Sequence, residues 1–224
     1  MATVLIIGAS RGVGLEFARQ YAADGWRVLA TCRMPARAAA LRDLGTNVAI
    51  HALDVTDHQA VRGLGRDLAH ETIDVLIANA GIFIARDMTL ANVDAEAWIE
   101  SFAVNTIAPF VCAGTFLEHV KRSGERKMIA ISSLVGSVGQ VGHGGQYAYR
   151  SSKAALNSVW RTFAFDHPEV IAAMVSPGRV RTDMNPDAPN AVEDSVASLR
   201  RVIANLTQAQ SGGFFRVDGS PAPW

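Results

Sequence analysis

Cysteine is scarce in this sequence. Cys32 and Cys112 stand alone among 224 residues. Two cannot make the disulfide framework of a small secreted scaffold, and free thiols in a cytoplasmic chain are the expectation. Charge of one sign is missing too. Lys plus Arg numbers 21 and Asp plus Glu 21, a formal net charge of zero, so the general attraction to phosphate that a nucleic-acid-binding chain needs is absent. The six histidines, His51, His58, His70, His119, His143 and His167, never fall at ligand spacing from a cysteine or an acid, and no metal site is expected. Met1-Ala2-Thr3 leads straight into an apolar stretch, with no basic segment and no cleavage site before it. No apolar run is expected to be long enough to span a bilayer. With no repeat, low-complexity tract or linker, the chain reads as one α/β domain over 1–224. A chain of that length buries roughly 70% of its unfolded surface and needs no staples.

What is there is alternation. Short apolar runs read as strands at Thr3–Ile7, Arg27–Thr31, Asn47–Leu53, Val75–Ala78, Lys127–Ser132, Val170–Val175 and Phe214–Val217. Between them, helical patterns cover Val13–Asp24, Ala36–Leu44, His58–His70, Asp94–Glu118, Tyr147–Phe165 and Val192–Ala209. Strand and helix in turn predict a parallel sheet of about seven strands, doubly wound, with helices on both faces. Ligands of such sheets bind at the carboxyl ends of the strands.

Two local patterns carry chemistry. The first strand runs into Gly8-Ala9-Ser10-Arg11-Gly12-Val13-Gly14 and then into an amphipathic helix. Strand, glycine turn and helix aim backbone N–H groups and a positive helix end at a phosphate. Gly8 allows the sharp turn, Gly12 lets the backbone approach a pyrophosphate, and Gly14 lets helix and strand pack closely. The spacing Gly-x-x-x-Gly-x-Gly differs from the commonest dinucleotide fingerprint, Gly-x-Gly-x-x-Gly. The second pattern is Tyr149 and Lys153, four apart on the helix expected from Gln146 to Phe165. Residues at that spacing share a face. A free phenol has a pKa of about 10, and a neighbouring cation favours its ionised form. Lys153 would thus make Tyr149 a usable general acid or base. Tyr147 is also near, but only Tyr149 stands four before the lysine.

In order along the chain stand the glycine turn from Gly8 to Gly14, Leu53-Asp54-Val55, Ala78-Asn79-Ala80-Gly81, Asn105, Ile131-Ser132-Ser133, Tyr149 to Lys153, and Pro177-Gly178-Arg179-Val180-Arg181-Thr182. With these the chain resembles the short-chain dehydrogenase/reductases over nearly its whole length. The stretch Tyr147 to Asn157 and the segment Asp218 to Trp224 look most like the C-factor and sniffer-type carbonyl reductases. The resemblance implies a single Rossmann-type domain and an NADP(H)-dependent interconversion of a carbonyl and an alcohol. It implies that Tyr149 gives or takes the proton at the reacting oxygen and that Lys153 binds the nicotinamide ribose and lowers the tyrosine pKa. Ser133 would hydrogen-bond the substrate oxygen, and Asn105 would hold a water linking Lys153 to solvent. Of the adjoining serines, which a strand points to opposite faces, the family pattern favours Ser133 over Ser132.

The cofactor set implied is Gly8, Ser10, Arg11, Gly12, Val13, Gly14, Arg33, Asp54, Val55, Asn79, Ala80, Gly81, Tyr149, Lys153, Pro177, Gly178, Val180 and Thr182. Asp54 and Val55 would meet the adenine, and Val180 and Thr182 the carboxamide. The second strand ends Thr31-Cys32-Arg33 without an acid, and Arg11 stands in the glycine turn. Two arginines there suit a 2′-phosphate, so NADP(H) is preferred, with NAD(H) the other candidate. Two departures from the family stand out: Ile7 where a threonine is usual, and Ala78 where an asparagine is usual. Both remove hydrogen bonds that would brace the cleft.

Phe83, Ile84, Leu134, Val135, His143 and Met184 would line an apolar substrate pocket for an aldehyde, ketone or quinone, although an exposed loop is the plainer place for His143. The segment from 183 to 195 reads as a mobile loop over the site. Cys112, Trp98, Phe102 and Phe110 read as packing. The family commonly pairs through the helices carrying Asn105 and Tyr149, so a homodimer or tetramer is expected. The alternative to an enzyme is a cofactor-binding signal or sensor on the same fold, because fold alone does not settle function.

Overall fold

A computed structural model describes residues 1–224. The chain order is β1 (Thr3–Ile7), α1 (Gly12–Ala23), β2 (Arg27–Cys32), α2 (Ala39–Arg42), β3 (Val48–Ala52), α3 (His58–Asp67), β4 (Val75–Ala78), α4 (Ala95–Phe102), α5 (Ala108–Lys121), β5 (Lys127–Ile131), α6 (Tyr147–Asp166), β6 (Ile171–Val175), α7 (Val192–Asn205) and β7 (Phe214–Phe215). The seven strands form one sheet in the order β3-β2-β1-β4-β5-β6-β7, and every neighbouring pair is parallel.

The alternation of side chains along β1 explains the three layers. Leu5 and Ile7 belong to one core with Phe116, Trp160 and Val170, on the face covered by α3, α5 and α6. Val4 and Ile6 point into the other, with Phe17, Leu199 and Ile203 of α1 and α7. A strand buried on both faces must be apolar throughout, which is why the strands read as continuous runs. Each fully buried large side chain contributes about 1.5–3 kcal/mol by leaving water. The chain reverses direction of winding between β1 and β4, and the crevice beyond their carboxyl ends is where the functional residues gather.

Several elements differ from their predicted extents. The helix expected over Ala36–Leu44 shrinks to one turn, α2, preceded by a separate tight turn at Pro35–Arg37. The C-terminal helix stops at Asn205, because Thr207 and Gln210 form a reciprocal cap that starts a new turn. The last strand keeps only Phe214–Phe215 before a turn at Gly219 folds Pro221 back against Phe215.

The expected absence of a bilayer-length apolar run is corrected as well. Ala95–Lys121 is a continuous 27-residue helical stretch of that length and composition, and 50% of its most apolar window is buried inside the protein. Cys112, Ala113, Phe116 and Val120 on it sit in the core beneath the sheet. Its apolarity therefore serves packing.

Candidate active site

The turn after β1 is held from three sides. Gly8 adopts a φ of 85°, and a Cβ there would stand 2.8 Å from the Ala80 Cα, so both conformation and space require glycine. Its N–H donates to Thr31 Oγ1 at 3.0 Å, and Asn79 Nδ2 donates to its carbonyl at 2.6 Å. The N–H groups of Asn79 and Ala80 both reach the Ile7 carbonyl, at 3.1 and 2.8 Å. The bracing expected to be missing at Ile7 and Ala78 is thus supplied by Thr31 on β2 and by Asn79 itself.

Gly14 is buried where α1 crosses β1. A Cβ on it would collide with the Gly8 carbonyl oxygen and the Asn79 amide. Gly14→Ala should cost about 1–3 kcal/mol through overpacking, read as a lowered Tm together with weakened cofactor binding. Gly114→Ala is the control. It lies on α5 with open space around it, so it should gain up to about 1 kcal/mol from helix propensity.

The N-terminus of α1 fits an anion. Arg11 precedes it without a side-chain cap, and its first turn carries no acid, which leaves orphan N–H groups and the positive dipole end facing the crevice. A cleft of about 300 Å³ opens there. Gly8, Ser10, Arg11, Gly12, Val13, Arg33, Asp54, Val55, Asn79, Ala80, Gly81, Tyr149, Lys153, Pro177 and Thr182 all line it. So do Cys32, Thr56, Ile82, Glu100, Val104 and Asp183, which sequence reasoning missed. Most of these adjoin a predicted residue or strand end, but Glu100 and Val104 arrive from α4 and its continuation with no local signal.

Asp54 folds onto its own loop and accepts from the Thr56 N–H and hydroxyl at 2.9 and 2.7 Å. These bonds, with smaller help from Arg33, hold its carboxyl below the usual range. Arg33 is exposed and has no ion-pair partner, whereas Arg11 meets Asp183 at 3.4 Å.

Gly14, Asn105, Ser133, Gly178 and Val180 do not line the cleft. Val180 is buried, and its backbone pairs with Asn190. The loop predicted over 183–195 is shorter and better tied than expected. Thr182 pairs with Asn185, and Arg181 bonds the Asn190 carbonyl through its N–H and the Ala188 carbonyl through Nε. Val192–Ser195 already form the first turn of α7, where the Ser195 hydroxyl donates to the Pro177 carbonyl at 2.8 Å.

Asn105 owes its position to a π-helical turn, Ala103–Ile107, between α4 and α5. Such turns mark functional sites because the extra residue reorients one side chain. Asn105 is fully buried. Its Oδ1 accepts from the Ile82 N–H at 2.8 Å, and its Nδ2 donates to the Ile82 carbonyl at 2.9 Å and the Ser152 hydroxyl at 3.0 Å. A Cβ on Gly81 would stand 3.2 Å from Asn105 Oδ1 and 3.6 Å from Lys153 Nζ, which brings the two polar groups to one point behind the cleft.

Lys153 is buried on α6, and its Nζ donates to the Ile131 carbonyl at 2.8 Å. Burial pulls its pKa down to about 8. Gly136 packs so closely on α6 that a Cβ would approach the Lys153 Cβ to 2.8 Å, which holds the turn after Ser133 against the lysine.

Tyr149, one turn earlier, lies 4.5 Å from Phe83 between ring centroids. Burial pushes its phenol up, while the Ser133 hydroxyl and the Arg86 guanidinium pull it down. The expected influence of Lys153 is absent from that balance: its Nζ sits 5.9 Å from the ring centroid and is directed to Ile131. Of the other candidates, Tyr147 is exposed, and His143 is exposed with its Nδ1 at its neighbour's carbonyl. Ser132 lines the cleft where Ser133 does not, with its hydroxyl donated to Asn157 Oδ1 at 2.6 Å.

Known proteins share this fold. The family model of short chain dehydrogenases matches residues 2–193. The chain is 35% identical over 167 residues to the C-signal of Myxococcus xanthus, covering 73% of this chain and all of that protein. Its fold superimposes on carbonyl reductase Sniffer of D. melanogaster with a TM-score of 0.93 at 29% identity, covering all of both chains. Against the NADPH-bound carbonyl reductase from chicken fatty liver the TM-score is 0.91 at 32% identity, covering 100% of this chain and 99% of that one.

Proposed function

The chain belongs to the short-chain dehydrogenase family, and from that premise we propose that it is an NADPH-dependent carbonyl reductase whose proton donor is Tyr149. The observation that carries the reading is the convergence of Tyr149, Ser133, Lys153 and Asn105 at the carboxyl ends of β4 and β5, beside a glycine turn built for a pyrophosphate. Tyr149 and Lys153 line the cleft, Ser133 adjoins the phenol, and Asn105 lies behind Lys153. A signalling protein with no use for turnover has no need to keep them, so the sensor alternative is not favoured.

In this reading the cofactor supplies the hydride. The N-terminus of α1 with Gly12 and Val13 would hold its phosphates, Arg11 and Arg33 the ribose phosphate, and Asp54 and Val55 the base; all line the cleft. The chain's own residues do the rest. Negative charge develops on the substrate oxygen as hydride arrives, and hydroxyl donors from Ser133 and Tyr149 stabilise it there. Because burial keeps Tyr149 protonated at neutral pH, it is ready to act as an acid. Lys153, a buried cation whose Nζ also donates to the Ile131 carbonyl, lines the cleft and would hold the nicotinamide ribose. Asn105, locked to both backbone groups of Ile82, holds the polar exit behind Lys153 in place.

The test is oxidation of NADPH and of NADH by the purified protein over aldehydes, ketones and diketones. NADPH-dependent turnover supports the reading. Tight cofactor binding with no turnover on any of them removes it. Arg33→Ala carries the cofactor argument: the KM for NADPH should rise about 10- to 100-fold, the size of a charge-assisted bond to phosphate, with NADH changed by about twofold or less. Equal weakening of both would remove the 2′-phosphate contact.

A further inference from the structure

Arg86 has a defined place beside the proton donor, beyond its pull on the phenol. Its guanidinium lies over the Phe83 ring, 4.3 Å from the centroid, and Phe83 in turn packs on Tyr149. Its Nε donates to the Phe83 carbonyl at 3.2 Å, and its Nη2 to the Met184 carbonyl at 2.5 Å. It therefore ties the loop after β4 to the loop after β6, across the mouth of the cleft that Tyr149 and Met184 both line. Ala85, just before it, holds a φ of 48°. That conformation is uncommon for a residue with a Cβ, and such strain gathers at ligand clamps.

What Arg86 lacks is an acid. Like Arg33, Arg86 meets no carboxylate. Asp183, beside Met184 in the chain, is taken by Arg11. With Nε and one Nη2 hydrogen committed to carbonyls, the Nη1–Nη2 end of the fork stays open, held in orientation by a ring and two backbone groups. An oriented guanidinium with two parallel donors free matches a carboxylate, and its orientation costs nothing further on binding.

We propose that Arg86 is a specificity residue that receives an anionic group, a carboxylate, carried by the carbonyl substrate on the side of the molecule that packs against Phe83. The substrate class is then an aromatic or otherwise apolar aldehyde or ketone bearing an acid. This rests on the reductase reading given above and deepens it. The charge of Arg86 already reaches the Tyr149 phenol, so the anion subsite and the proton donor lie close together.

The experiment compares para-carboxybenzaldehyde with its methyl ester, which has nearly the same shape and no charge, in the wild type, Arg86→Gln and Arg86→Lys. The wild type should favour the acid, mainly through KM, and added salt should weaken that preference. In Arg86→Gln kcat/KM for the acid should fall about 10- to 100-fold, the worth of a charge-assisted pair. The ester should lose only about two- to threefold, from the looser Phe83 and Met184 contacts. Arg86→Lys should restore part of the acid preference. A wild type indifferent to the charge, or a parallel fall of acid and ester in Arg86→Gln, overturns the proposal. If neither aldehyde is turned over, the reductase reading is judged on the wider panel above, and the anion site separately by calorimetric titration of the protein and NADP⁺ with para-(hydroxymethyl)benzoate, where equal affinity in wild type and Arg86→Gln overturns it.

Discussion

Tyr149→Phe should lower kcat for carbonyl reduction by about 100- to 10,000-fold, the range a positioned general acid supplies, while NADPH binding changes by about twofold or less. The substitution removes one oxygen and keeps the ring that packs on Phe83, so the fold around it has no reason to shift. Burial holds the phenol protonated well above neutral pH, which makes its proton available for donation across the range where the cofactor is stable. Steady-state turnover paired with fluorescence titration of NADPH separates the two effects. Full activity in the variant would remove Tyr149 as the proton donor, and a matching loss of cofactor affinity would recast it as a binding group.

Lys153→Met should cost a comparable factor in kcat/KM and also change the shape of two pH profiles. Burial brings the wild-type ammonium to about 8, so reduction by the free enzyme should fall as pH rises through about 8, a limb absent from the variant's residual activity. Stability moves in the opposite sense. The folded lysine binds its proton more weakly than the unfolded one. The resulting penalty is complete below about 8, shrinks as pH rises towards the unfolded value near 10.4, and is gone above it. The cofactor-free wild type should therefore gain stability relative to Lys153→Met between those limits, by an amount on the order of a few kcal/mol. A Tm difference that stays flat from pH 7 to pH 10 would show that the ammonium is not desolvated in the folded protein.

Much of the fold was legible in the residues because it is written over short distances. The run Thr3–Ile7 is apolar on both faces and becomes an interior parallel strand. The glycine turn that follows can take few other shapes, and Tyr149 and Lys153 share a helix face by the geometry of one turn. The same arithmetic misjudged Ala36–Leu44, where Pro35 and the tight turn it opens outweighed helix propensity.

The sequence by itself determined the strand and helix alternation, the glycine turn between β1 and α1, the placing of Tyr149 and Lys153 on one helix face, and the arginines that follow β1 and β2. Each of these is encoded within a few neighbouring residues by periodicity or turn stereochemistry. Only the tertiary structure decided that Thr31 and Asn79 brace the turn in place of the usual partners, that a π turn brings Asn105 behind Lys153, and that Arg86 joins two loops beside Tyr149. It also decided that burial raises the phenol's pKa against smaller pulls from Ser133 and Arg86, with Lys153 turned to Ile131. These contacts join residues far apart in the chain, and no local pattern carries them. They depend on which strand ends the parallel topology brings together, and on how deeply the packed layers remove charges from water.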